Sequence, residues 1–180
     1  MTDDQQAIEQ KKQILELLTV SNEFCMFIEK SYDYSKAEIF QYMHRMAPLL
    51  YLKGSLLPEL EIENPDAYER YVTEEVWESI FNELRNTFGK DDLFWFINEP
   101  GFNGDEITKG SMAEHLTDIY QDLKDFVFLY SKNTHDSILN AVFECRKLYH
   151  TNWGYKIIRL QKNIHHLLYQ DQIESEYPEL

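Results

Sequence analysis

Ile39, Met43, Met46, Leu50 and Leu57 follow one another at steps of four, three, four and seven residues. That spacing places them on one face of a helix. The densest apolar run of the chain, Leu49 to Leu57, closes this stripe, and Lys53 falls inside it. A lysine there either lays its stem along apolar surface and puts its ammonium in water, or meets a carboxylate, because an unpaired buried charge is too costly. Asp118, Asp122 and Glu23 are its expected partners. Gly54 and Ser55 are small enough to let another helix approach closely. Pro48 removes one backbone donor and marks a kink or a helix start, and Pro58 ends the segment. The stretch reads as the second half of a central helix against which the others pack.

The same periodicity recurs along the chain. Residues 5–30 carry Ile14, Leu17, Leu18, Phe24, Cys25 and Ile28 on one face. Ser35 caps the next helix, and Glu38 three residues later completes a capping box. Asn64-Pro65 is a helix start with proline at the first helical position; the helix carries Tyr68, Val72, Val76, Ile80 and Leu84, with a restart at Thr73-Glu74-Glu75 and an end at Gly89. Ser111, with Glu114, opens a helix whose stripe runs from Met112 to Tyr130. Asn133 or Thr134 opens another that runs to Cys145 or Tyr149. A break near Trp153-Gly154 precedes a last stretch through Ile157, Leu160, Ile164 and Leu168. Residues 90–110 read as one long irregular loop, in which Leu93 to Ile97 is a short helix or an extended cover strand. Pro100-Gly101 and Asn103-Gly104 are turns. The expected architecture is a single all-α domain over residues 1–180, a bundle of five to six helices with an acidic tail at 171–180.

Length and charge narrow the function classes. One hundred and eighty residues suffice for one sizeable core. Twelve Tyr, eleven Phe and three Trp argue for a packed protein. The net charge of −15 disfavours general binding to nucleic acid or to an anionic membrane, and no apolar run reaches the length of a membrane span. The N-terminal residues lack the apolar core of a signal peptide. Cys25 and Cys145 both lie inside apolar helical patterns, which reads as free thiols in a reducing cytoplasm.

Several strings carry a family resemblance: VSNEFCMFIE in the first helix, APLLYLKGSLLP in the second, YVTEEVWE in the third, EHLTDIYQDLKDFVF in the fourth and WGYKIIRLQKNIHHL near the end. With them the chain resembles, over nearly its whole length, an uncharacterised bacterial family of the Bacteroides group, domain of unknown function 5063. The resemblance implies a helical bundle and brings no activity. It draws interest to the polar and aromatic positions inside those strings, Lys53, Asp118, Asp122, Trp153 and His165.

Two constellations bear on chemistry. Glu114, Asp118, Asp122 and Asp125 form one ridge largely opposite the apolar stripe of their helix, and a solvated acidic face is the plain reading. The sharper reading is a divalent-metal site, since hard cations take several carboxylate oxygens, with Glu75 and Glu78 facing Asp118 and Asp122. The E-x-x-D of all-α nucleotide pyrophosphohydrolases is absent from Glu114 to Asp118. The second constellation is basic. Cys145 to Gln170 holds five basic residues, three His and no acid, while the other segments hold 12 basic and 32 acidic residues. These basic groups either pair with acidic neighbours or make a groove for an anionic ligand, with Lys156, Arg159 and Lys162 on one broad side beside Trp153. Arg159 and His165 also fit the Arg-x4-6-His spacing of all-α ribonucleases. A Gly-rich phosphate loop, a nucleophile elbow, H-E-x-x-H and C-x-x-C are all missing.

The leading expectation is a non-catalytic cytoplasmic module that binds an unknown protein or a small anionic ligand, with no cofactor. Its binding candidates are Lys53, Asp118, Asp122, Trp153, Lys156 and His165. A partner surface would show as a contiguous aromatic patch from Tyr32, Tyr34 or the loop from Phe94 to Phe102. A metal-dependent nucleotide or phosphoester hydrolase using Glu75, Glu78, Asp118 and Asp122 is the first alternative. A ribonuclease-like protein using Arg159 and His165 is the second.

Overall fold

A computed structural model describes residues 3–97 and 107–176, with side chains described for residues 4–97 and 107–170. Six helices follow the apolar stripes: α1 Asp3–Glu29, α2 Lys36–Ser55, α3 Glu74–Phe88, α4 Met112–Ser131, α5 His135–Leu148 and α6 Gly154–Glu176. Two short strands, β1 Leu93–Ile97 and β2 Ile107–Ser111, sit between α3 and α4. The protein is all-α apart from this hairpin. The turns expected at residues 100–104 and the end of the acidic tail, residues 177–180, lie outside the described residues. The tail begins as helix, since α6 continues to Glu176.

Local signals set most helix starts. Ser35 accepts the Glu38 N–H while the Glu38 carboxylate accepts from the Ser35 N–H, a full capping box. Thr134 and Ser137 make the same reciprocal pair at α5. At α4 only half of the expected box forms. Ser111 Oγ accepts from Glu114 N–H, but its own hydroxyl donates to Asp92.

Two elements differ from the sequence reading. The helix expected from Asn64 is a short 3-10 turn, Pro65–Ala67, followed by extended chain, and α3 starts only at Glu74 under a Thr73 cap. The Asn64 side chain donates to Asp136 instead of capping, and the N–H groups of Tyr71 and Val72 are held by Asp125. Residues 93–97 and 107–111 pair as an antiparallel ladder with Trp95 opposite Lys109, so the expected irregular loop is ordered at both ends. Aromatic and β-branched residues favour such a pleated surface. Gly110 admits it, since a Cβ there would lie 2.9 Å from the Phe94 ring. The break expected near Trp153-Gly154 is there, as one π turn, Tyr149–Trp153.

α4 is the central helix, in place of α2. It packs against α1, α3, α5 and α6 and buries Leu116, Ile119, Tyr120, Leu123, Phe126 and Leu129 in the common core. α2 lies between α1 and α6. Pro48 stands inside α2 without ending it. It leaves the His44 carbonyl without its helical donor, and Gln161 of α6 donates to that carbonyl instead, at 3.3 Å.

Candidate functional site

The acidic ridge of α4 is occupied by the protein itself. Asp118 accepts from Trp77 Nε1 at 2.9 Å and from Lys156 Nζ at 2.5 Å. Asp122 accepts from Asn152 Nδ2 at 2.7 Å, on the π turn. Asp125 is buried and accepts two backbone N–H groups, Tyr71 at 2.8 Å and Val72 at 2.9 Å. Only Glu114 of the four is exposed. The solvated face expected from the sequence is therefore an internal polar seam joining α4 to α3, the extended segment before α3, and the π turn. Burial raises the Asp122 carboxyl to about 6, against the pull of Asn152 and Lys156.

This placement separates the metal candidates. Glu75 and Glu78 are exposed on α3. Glu75 lines an open groove of about 720 Å³ between α1, α3 and α4, whose floor is a Glu29 carboxylate holding Lys124 at 2.7 Å and the Tyr120 hydroxyl at 2.9 Å. Among the described residues no three His, Cys, Asp or Glu side chains are grouped to hold a metal ion. Arg159 and His165 also part company. The Arg159 guanidinium lies 4.0 Å from the centre of the Phe96 ring on β1. His165 packs against His44 of α2 and Tyr169, at ring distances of 5.5 and 4.8 Å.

The remaining candidates are structural in their contacts. Lys53 pairs with Glu16 of α1 at 2.7 Å, not with Asp118, Asp122 or Glu23. Trp153 is fully buried and donates through Nε1 to the Cys145 carbonyl at 3.1 Å. Lys156 belongs to Asp118. With Arg146–Glu59 and Lys147–Glu144, it makes intramolecular pairing the main use of the basic stretch.

What the sequence reading left as loop carries the most unusual surface. The hairpin is anchored by Asp92, which accepts from the Ser111 hydroxyl and, at 2.8 Å, from the Ala113 N–H of α4. Phe94 and Phe96 point inward. Both meet His115 of α4 edge-on, at 5.3 and 6.3 Å. The alternate residues point out: Leu93 is 49% exposed, Trp95 64%, Ile97 65% and Ile107 64%. Lys109 lies over the Trp95 ring. Tyr34, the other aromatic considered, is stacked on Phe27, leaving Tyr32 exposed without its neighbour. The unbroken apolar run of residues 93–97 was the only signal for this face, and it stood between turns that read as loop.

His115 beneath the hairpin is 6% exposed, and among the described residues neither ring nitrogen has a hydrogen-bond partner. Burial, with smaller help from Lys156 and Arg159 and against Asp118, lowers it to about 4. A depressed histidine contributes stability that is complete above the unfolded value near 6.5 and is lost as pH falls towards 4. Asp122, raised to about 6, acts in the opposite sense: its contribution is present below about 4 and is lost as pH rises through 6. His115→Leu should therefore gain about 2–3 kcal/mol relative to the parent between pH 7 and pH 4. Urea titrations at both pH values measure this, and parallel stability curves for the two proteins would refute it.

The family model described as "Domain of unknown function (DUF5063)" matches residues 8–170. The chain belongs to the DUF5063 family. Among solved structures it is similar to protein BF1032 from Bacteroides fragilis, with 29% sequence identity and a TM-score of 0.76 over 87% of this chain and 92% of that one. No curated protein matches the chain. The family description of this DUF5063 chain assigns no activity, and its function is unknown. No described helix is long and apolar enough to cross a membrane.

Proposed function

We propose that this DUF5063 protein is a non-catalytic interaction module that docks a protein partner on the outer face of the β1–β2 hairpin. The observation that carries the reading is the exposure of Leu93, Trp95, Ile97 and Ile107 together on one side of one ladder. These side chains offer on the order of 500 Å² of apolar surface, the size of a patch that on a monomer is often functional. Tryptophan is also enriched among residues that dominate binding energy. The polar seam on α4 supports the same reading, because Asp118, Asp122 and Asp125 are each engaged by groups of the protein itself, Lys156 and Trp77, Asn152, and two backbone N–H groups, as a scaffold requires. The buried free thiols of Cys25 and Cys145, both pushed up by burial, support action in a reducing compartment such as the cytoplasm.

The test is site-specific crosslinking in the native host. A photoreactive side chain at position 95 or 107 should yield a discrete adduct, and one at Asp66, on the exposed turn before α3, should not. Trp95→Ser combined with Ile107→Ser should abolish the adduct from a third probe at position 109. These exposed substitutions should shift stability by less than about 1 kcal/mol. Equal labelling from positions 95 and 66 would rule the surface out.

A further inference from the structure

Resting on that reading, we infer that the partner binds as an extended strand added to the free edge of β1. β1 pairs with β2 alone, and no other described element runs along its second edge. In an antiparallel ladder alternate residues turn their N–H and C=O groups away from the partner strand, so this edge presents donors and acceptors that no strand among the described residues pairs. Natural edge strands are guarded by charge, proline or a bulge. The Leu93-Phe94-Trp95-Phe96-Ile97 strand has none of these, and its register with β2 is regular over all five pairs. β2, by contrast, carries Lys109 and Gly110. An unguarded apolar edge beside an exposed apolar face is the arrangement that strand addition uses: main-chain bonds hold the segment, and its alternate side chains extend the face next to Trp95.

The size of the face decides between a peptide segment and a second copy. Two such faces pressed together would bury roughly 1,000 Å², at the lower limit for a specific interface between folded proteins. Each copy also carries a net charge of −15, which opposes self-association. A single extended segment needs no larger surface, because its backbone bonds supply the register. The chemistry that fits is a polypeptide strand with alternating apolar side chains and free backbone amides.

Three peptides test this against the intact protein. The first is a blocked strand of about seven residues alternating valine and threonine. The second is its twin with every other amide N-methylated, and the third is an amphipathic helix former with a leucine stripe. The expected result is that the strand peptide slows amide hydrogen exchange in residues 93–97 and changes Trp95 emission, while the N-methylated twin binds at least tenfold more weakly. Trp95→Ser should weaken the first peptide without unfolding the protein. If the twin binds equally well, or only the helix former binds and the exchange of β1 is unchanged, strand addition is wrong and the docking face stands. If none of the three perturbs Trp95, both the strand mode and the docking face fall.

Discussion

Trp153→Ala should cost about 3–5 kcal/mol, the largest loss expected from any single truncation in this protein. The indole is fully buried where α2, α5 and α6 meet, packs edge-on against Tyr149 at 4.9 Å and donates to the Cys145 carbonyl. Its far edge lies directly on Gly54 of α2. A Cβ at Gly54 would fall 2.2 Å from the indole Cη2 and 2.7 Å from the Tyr149 ring. Gly54→Ala should therefore cost about 1–3 kcal/mol through overpacking, although alanine in a helix is otherwise favoured by about 1 kcal/mol over glycine. The double variant decides whether this contact is the cause. With the indole gone, the Tyr149 ring has room to move off the added Cβ, and Gly54→Ala should lose most of its cost, a coupling of at least about 1 kcal/mol. Urea denaturation of the four proteins measures it, and additive losses would show that the contact is not what requires glycine at 54.

The second large effect is expected at Asp125. One of its oxygens, Oδ1, accepts both the Tyr71 and the Val72 N–H groups, and the residue is buried. Alanine would leave the buried Val72 N–H unpaired, at about 1–3 kcal/mol, and the half-buried Tyr71 N–H unpaired at about 1 kcal/mol. A total loss of about 2–4 kcal/mol follows. Burial is the largest influence on the Asp125 carboxyl and raises it, so the charge itself adds little. Asparagine keeps an acceptor in the same place and should cost less than half as much as alanine. Equal losses for Asp125→Ala and Asp125→Asn would mean that the charge, not the acceptor geometry, holds the segment before α3.

The hairpin shows where sequence legibility stops. Leu93, Trp95 and Ile97 alternate with Phe94 and Phe96, but five apolar residues in a row fit a short helix as well as a strand. Only the presence of Ile107 to Ser111 opposite, with Gly110 leaving room for the Phe94 ring, makes the strand the better state. The outward exposure of Trp95 then follows from pairing and was not available from either segment alone. The acidic ridge was misplaced for a related reason. Periodicity shows that Asp118, Asp122 and Asp125 lie away from the apolar stripe, and solvent is the usual neighbour of such a face. Here other segments lie there, bringing donors that need acceptors: the Trp77 indole, the Asn152 amide, Lys156 and two backbone N–H groups.

The amino-acid sequence by itself determined that this chain forms an all-α bundle, where most of its helices begin, and which stripes enter the core. Those properties depend on spacing and on caps within a few residues, such as Ser35 with Glu38 and Thr134 with Ser137. Tertiary structure decided which helix is central, which carboxylate each lysine meets and how an internal proline is tolerated. Lys53 meets Glu16 across 37 residues, and the carbonyl that Pro48 leaves open is filled by Gln161 across 117. A charge or a carbonyl in the interior must be satisfied by whatever donor the packing brings within about 3 Å, and local sequence does not contain that partner.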